Sequence, residues 1–366
     1  MVQKKRIVFV LSGYGREARG AERVVAEIVT SLSDVYDIQV LGSGTTAPNA
    51  VPLSFLSRDN VWTHRLNRTP GLGHLARFFQ VDPLNWEWLT CAWAARRWLV
   101  ENPCDLLVPE GGRWGGWLGR WARKHLGIPF VDIAHGAPGR WEVAAARCLP
   151  DCYVAPTRVA ERALQAAVPG LVTRVIPPGV DTQRFTLEGP RIELGLAPPM
   201  TIAVGALEPL KRMDLVIRAV AAQGTGSLLL VGDGPQRQEL LALGQNLLGP
   251  ARFQWRTAAV DEMPTLYRSA DLFVSASRSE AFGLVYLEAL ACGLPVVTQD
   301  DAVRREVLAD AAHYLDSEDP VAWAAQMDAA LAASNPSTSR ERAMYYDANH
   351  SAAQMQEVFE EILQRT

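Results

Sequence analysis

Long apolar runs are missing from this 366-residue chain. None reaches the ~18 residues that a membrane-spanning helix needs, and Lys4-Lys5-Arg6 leads straight into an alternating strand rather than into a signal-peptide core. A cytoplasmic protein is therefore expected. Cysteine is scarce: Cys91, Cys104, Cys148, Cys152 and Cys292 are an odd number, scattered and without a Cys-x-x-Cys pair. That excludes a disulfide framework or a zinc site as the organising principle and leaves them as small core residues. No acid-x-acid metal motif stands in a suitable loop.

No single sign of charge dominates either. The net charge is −4, yet residues 1–180 hold 21 Lys and Arg against 15 Asp and Glu, a net +6, while residues 181–366 hold 15 against 25, a net −10. Such a division argues against a nucleic-acid footprint. It suits a first domain that meets an anionic acceptor or a lipid surface, or is ordinary surface variation. With 48% hydrophobic and 21% charged residues, the chain has the composition of a soluble globular protein with room for two Rossmann-sized domains.

The order of elements begins with a buried strand, Arg6 to Leu11, a glycine loop and a helical pattern from Ala21 to Val29, the start of a doubly wound sheet. Gly13-x-Gly15-x-x-Ala18 fits the dinucleotide fingerprint and raises an NAD-dependent oxidoreductase as a competing reading. That reading also wants an acid at the end of the second strand, where Asp37 to Leu41 runs instead into Gly42-Ser43-Gly44.

Residues 50–100 interleave Trp62, Trp86, Trp88, Trp93 and Trp98 with arginines. This suits a surface for anionic lipid headgroups or a sugar-stacking acceptor cleft. Trp93 and Trp98 also fall at helical spacing with Leu89 and Ala94, the pattern of core packing. Further on, Pro129 to Ala134 reads as a buried strand ending in His135-Gly136, where doubly wound sheets keep their ligands. A packed histidine is the alternative.

Pro177-Pro178-Gly179 is a stiff crossover with one permissive joint, which places a domain boundary near residue 180. Beyond it, the strand Thr201 to Gly205 leads to Lys211 and Arg212 at a helix entrance. Paired cations there are placed to neutralise a diphosphate leaving group, or they form a solvated turn.

The stretch Ser279 to Gly293 follows a strand-like Leu272 to Ser275 and holds Glu280 and Glu288 around Phe282-Gly283-Leu284. Eight positions are about two and a quarter helical turns, so the two acids are not neighbours within one helix. With Glu280 in the loop and Glu288 on the first turns, both can face a ligand above the helix N-terminus. Two solvated acids near a helix start are the alternative.

This stretch resembles the Glu-x7-Glu signature of retaining glycosyltransferases of the GT-B fold, in particular the nucleotide-sugar-dependent family 4. The resemblance implies that Glu280, Phe282, Gly283 and Leu284 hold the donor sugar and Glu288 the ribose. Arg19-Gly20-Ala21-Glu22 is similar to the family's Gly-Gly-Ala-Glu turn, which implies a donor diphosphate contact at Gly20. His135-Gly136 resembles the position whose histidine meets the sugar near the scissile bond, so His135, Glu280 and Lys211 are the implied catalytic residues. Ala206 stands where the family usually presents an arginine, and Arg212 is the candidate replacement. Arg256 and Thr257 correspond to the loop that lines the base.

The implied fold is two Rossmann-like doubly wound α/β domains facing across a cleft. Residues 1–179 with a returning helix over 345–366 form the acceptor-binding domain, and residues 180–344 the donor domain. The implied reaction moves a sugar, with retention, from a nucleotide-diphosphate donor to a hydroxyl of a glycan, a lipid-linked sugar or a small molecule, in cell-surface glycan, glycolipid or related glycoside synthesis. No metal, cofactor or nucleic acid is expected, and residues 50–100 suggest peripheral contact with the inner membrane face. A nucleotide-sugar-binding protein without activity is the third reading.

Overall fold

The structure, a computed structural model, describes residues 4–17, 19–59, 82–135 and 139–365. It divides into two compact units, Met1–Pro177 with Ser351–Thr366, and Pro178–His350.

In the first unit, strand β1 (Arg6–Val10) is a run of β-branched and aromatic residues buried on both faces, as a parallel sheet requires. Helix α1 (Gly20–Leu32) returns the chain to β2 (Asp37–Gly42), and β3 (Ala50–Pro52) extends the edge. Helix α2 (Pro83–Glu101), capped by the Asp82 side chain on Asn85 N, precedes β4 (Leu106–Pro109). The sheet order is β3-β2-β1-β4, all parallel. Helix α3 (Gly112–Leu126) leads to β5 (Val131–Ile133), α4 (Arg140–Ala146), β6 (Cys152–Ala155), α5 (Arg158–Ala167) and β7 (Thr173–Val175). The last three strands form a parallel β5-β6-β7 sheet, which a bridge between Leu107 and Phe130 joins to β4.

The second unit is a single six-stranded parallel sheet. Its strands β8 (Met200–Val204), β9 (Ser227–Val231), β10 (Phe253–Arg256), β11 (Leu272–Ser275), β12 (Val296–Gln299) and β13 (His313–Leu315) lie in the order β10-β9-β8-β11-β12-β13. Counted from β8 this is 3-2-1-4-5-6, the dinucleotide-fold order, with its reversal between β8 and β11. Helices α6 (Met213–Gln223), α7 (Arg237–Leu248), α8 (Met263–Ser269), α9 (Leu284–Ala291), α10 (Ala302–Leu308), α11 (Pro320–Ala332) and α12 (Pro336–Met344) cover it.

The terminal helix α13 (Ala348–Leu363) places Ala352, Met355, Val358, Phe359 and Ile362 in the core of the first unit. Phe359 meets Phe9 and Tyr36 edge-on, with centroids 6.3 and 6.1 Å apart. Tyr345 to Asp347 belong to the second unit: Tyr346 packs edge-on against Phe282, and Asp347 bridges to Val180. At the crossover, a Cβ on Gly179 would lie 2.3 Å from Ala348 Cα, so this glycine allows two backbone segments to touch.

Two sequence readings change here. Gly13-x-Gly15 does not open the first helix, which begins at Gly20. Gly15 (φ 75°) and Gly44 pack backbone against backbone, where a Cβ on Gly44 would lie 1.9 Å from Gly15 C. The glycine pattern serves that crossing of two strand exits. Trp93 is 44% exposed, and the buried face of α2 is formed by Cys91, Ala92, Ala95 and Leu99. All five cysteines are free, with Cys91, Cys152 and Cys292 buried.

Candidate active site

Ligands of doubly wound sheets bind beyond the carboxyl ends of the strands where the strand order reverses. In the second unit those ends are the β8 and β11 exits. After β8 a short 3-10 turn, Pro209–Lys211, presents Lys211; after β11 the loop Ala276 to Gly283 presents Glu280. Lys211 Nζ donates to Glu280 Oε1 at 2.6 Å, with the two side chains 26% and 13% exposed. Arg278 N donates to Leu210 O at 2.9 Å and ties the loops together. The neighbouring β9 exit closes on β8 through glycine: a Cβ on Gly232 (φ 138°) would lie 2.0 Å from Gly205 O.

Gly283 caps α9 at φ 89°, and a Cβ there would lie 2.4 Å from the Tyr286 ring. Conformation and packing both select glycine. Phe282 is turned into the core, while Leu284 is half-buried on the first turn. Glu288, on the second turn, is only 1% exposed, and Tyr267 Oη donates to its Oε2 at 2.9 Å. The acids thus occupy the loop and the helix respectively, each with its own partner.

Arg212, in the left-handed region at φ 50°, is buried and pairs with Glu318, which also accepts from Arg278 at 3.1 Å. Thr257 is exposed after β10, and Arg256 pairs with Glu262 at 3.0 Å. Sequence reasoning missed the support beneath these loops. Arg304, fully buried, donates to Tyr286 Oη at 3.0 Å and to Ser277 O at 2.5 Å, and Tyr286 Oη donates to Ser275 Oγ at 3.0 Å. Arg304 stands beside Arg305 and Glu306 in α10, so no pattern in the sequence singled it out.

In the first unit the reversal lies between β1 and β4, and there a cavity of about 240 Å³ opens. It is lined by Ser12 after β1, Glu22 on α1, Glu110 after β4, Asp132 within β5, His135 after β5, and Glu142 on α4. Trp88 and Trp141 form a wall, edge-on at 5.7 Å. Gly111 (φ 110°) starts α3 against this wall, since a Cβ there would lie 3.1 Å from Trp88 Cγ. Gly136 falls outside the described residues. Gly20 opens α1 with nothing within 4 Å of a Cβ built on it, an exposed backbone that no packing requires to be glycine.

His135 Nε2 stands 3.1 Å from Glu110 Oε1, an ion-pair contact without hydrogen-bond angles. Burial pulls the imidazole pKa down, but Glu110, Glu22 and Glu142 outweigh it and leave it above its ordinary value. Burial and the Glu110 charge push the Asp132 carboxyl well above the usual range, and burial raises Glu22 too. Beside the cavity, the fully buried Glu87 is held by Arg58 Nη2 at 2.5 Å, Arg58 N at 2.7 Å and Ser12 Oγ at 2.8 Å. Burial would raise its pKa, yet these donors depress it to about 2.

On α2, Trp93 lies against Trp117 at 5.8 Å, and the Arg96 guanidinium sits over both Trp93 and Trp121. Trp62, Arg65, Arg68 and Arg77 fall outside the described residues. Among the described residues no helix is long and apolar enough to cross a membrane, and no group of three His, Cys, Asp or Glu is placed to hold a metal ion.

Two parallel doubly wound units, each gathering charged side chains at its strand-order reversal, define a protein of the GT-B class. The comparisons agree. The family model for Glycosyltransferase Family 4 matches residues 18–184, and that for glycosyl transferases group 1 matches residues 190–350. The chain belongs to the family 4 type of GT-B glycosyltransferases. A D-inositol 3-phosphate glycosyltransferase of Salinispora tropica is 33% identical over 259 residues, covering 57% of this chain and 52% of that protein. One of Segniliparus rotundus is 32% identical over 254 residues, covering 60% and 56%. The match spans about half the length of these curated relatives. The fold is shared with sucrose-phosphate synthase from Thermosynechococcus elongatus, with TM-score 0.79, 17% identity, and 99% and 100% of the two chains covered. It is shared also with Anabaena Alr3699/HepE in complex with UDP and glucose, with TM-score 0.73, 18% identity, and 97% and 99% covered.

Proposed function

We propose that this protein transfers a sugar from a nucleotide-diphosphate donor to an acceptor hydroxyl with retention of anomeric configuration. The Lys211–Glu280 pair at the strand-order reversal of the second unit carries the proposal. When the glycosidic bond to the donor breaks, negative charge develops on the diphosphate, and a fixed ammonium beside it stabilises that charge in the transition state. Glu280 holds Lys211 in place and accepts hydrogen bonds from hydroxyls of the donor sugar. The free N–H groups at the start of α9, exposed by Gly283, and those at Gly20 on α1 take anionic oxygens. Glu288, oriented by Tyr267, accepts from the ribose, and Thr257 and Arg256 border the base. Arg212 contributes a positive field near the diphosphate while paired with Glu318. These roles need neither metal nor organic cofactor.

In the first unit, His135 is the proposed catalytic group and its cavity the acceptor site. The relatives' names make a phosphorylated cyclitol one acceptor class to test, beside glycans and lipid-linked sugars. Incubation of the full chain with nucleotide sugars and acceptors, with nucleotide release and product anomer read by NMR, tests the proposal. Acceptor-dependent release of nucleotide with retained configuration supports it. Binding of a nucleotide sugar without release would leave a binder, and an inverted product would remove the retaining mechanism.

A further inference from the structure

The first-unit cavity is more acidic than its surroundings can neutralise. Of its lining cations, Arg19 is bound to Glu17 at 3.0 Å and Arg58 to Glu87 at 2.5 Å, carboxylates outside the cavity wall, and His135 faces Glu110 at 3.1 Å, which leaves Glu22 and Asp132 without a cation of their own in the lining. Facing the cavity, Glu22, Glu110 and Asp132 are 7%, 8% and 3% exposed. Glu22 Oε2 and Asp132 Oδ2 each lack a hydrogen-bond partner among the described residues, and Glu110 Oε1 has only the His135 ion-pair contact, without hydrogen-bond angles. Buried carboxylate oxygens left this way cost stability, so their presence together in one cavity calls for a ligand that supplies donors and positive charge. Burial, joined at Asp132 by the Glu110 charge, raises the Asp132 and Glu22 carboxyls, so with no cation beside them a proton is favoured in its place.

Shape narrows the class of ligand. About 240 Å³ is below the ~300 Å³ at which drug-sized ligands begin to fit, and suits one ring. Trp88 and Trp141, perpendicular to each other at 87°, provide an apolar corner in which the C–H face of a saturated ring packs. Hydroxyls alone would donate to the carboxylates but leave the excess negative charge in place. A phosphate would add to it. Resting on the transferase reading, we infer that this pocket is the acceptor site, and that the acceptor is a single polyhydroxylated ring bearing an ammonium group, an amino sugar or aminocyclitol. The ammonium sits among Glu22, Glu110 and Asp132, while the ring lies on the tryptophans.

Direct binding to the full chain, followed by calorimetry without any donor, separates this inference from the transfer reaction. The probes are glucosamine and 2-deoxystreptamine as amines, N-acetylglucosamine as the neutral ring, and inositol 3-phosphate as the anion. An amine should bind at least about tenfold tighter than the neutral ring, the scale of a close buried charge pair, and the phosphate weakest. Asp132→Asn and Glu110→Gln should each erase most of that preference. Asp132→Asn should also melt at or above the wild-type temperature, because it removes an unpaired buried carboxyl; this shows that the loss is not unfolding. Equal binding of amine and neutral ring, tightest binding of the phosphate, no binding of any ring, or a preference that survives both substitutions would overturn the inference. An intact amine preference without nucleotide release would defeat the transferase reading alone.

Discussion

Lys211 Nζ and Glu280 Oε1 stand 2.6 Å apart although they belong to loops 69 residues apart in the chain. The adjacency of β8 and β11 in the sheet creates the contact. The pair fixes a flexible ammonium at one point, which is what stabilisation of a leaving group demands. Lys211→Ala and Glu280→Gln should each lower kcat by roughly a hundredfold, the scale of one lost transition-state contact. Steady-state kinetics with unchanged melting temperatures would check this, and a change confined to KM would remove both residues from the chemical step.

Glu288 owes its orientation to Tyr267. Deleting the phenol in Tyr267→Phe takes one donor from a buried carboxylate, a cost of about 1–3 kcal/mol. Nucleoside diphosphate affinity should fall in Tyr267→Phe and further in Glu288→Ala, as read by calorimetry. Equal affinity in all three proteins would assign Glu288 to the core alone.

Glu87 ties α2 to the loops that carry Ser12 and Arg58. Its pKa lies at about 2, below the ~4.3 of an unfolded glutamate. Its contribution is therefore fully present above the unfolded value and is lost as pH falls through that interval towards 2. Glu87→Ala should cost about 3 kcal/mol at neutral pH, since it leaves Arg58 without its buried partner, and the mutant's deficit should shrink in acid. Urea melts at pH 7 and pH 3 provide the comparison.

His135 sits among carboxylates that raise its pKa. A histidine held this way adds stability in full below its unfolded pKa, and that stability is lost as pH rises through the raised folded value. Glu110→Gln should lower the His135 pKa, as followed by NMR of the imidazole, and move the alkaline side of this stability change to lower pH. An unshifted titration would mean that Glu110 does not govern the imidazole.

Continuous apolar runs such as Ile7 to Val10 and Leu228 to Val231 announced buried parallel strands, because both faces of such strands are covered. Lys211 and Glu280 were legible as loop residues after strands. The surroundings of His135 were not. Glu110 follows β4 and Asp132 lies within β5, neighbours whose adjacency only the sheet order creates, and an acid inside the buried run Val131–Ile133 was the available clue. Net charge does not describe the same place: the first 180 residues carry +6, while the cavity within them is lined with carboxylates. A sum over a surface does not report the sign of one hollow. Trp93 had helical spacing and yet faces outward, because Cys91, Ala92, Ala95 and Leu99 supply a narrower core face.

The central claim is that the second unit holds a nucleoside diphosphate between Lys211, Glu280 and Glu288, and a thermal-shift screen of the full chain with UDP, GDP and ADP tests it most directly. One of the three at 100 times its dissociation constant should stabilise the protein by ~2.7 kcal/mol, and Glu288→Ala or Lys211→Ala should reduce that shift strongly. No shift with any diphosphate, or a shift untouched by both substitutions, would contradict the account.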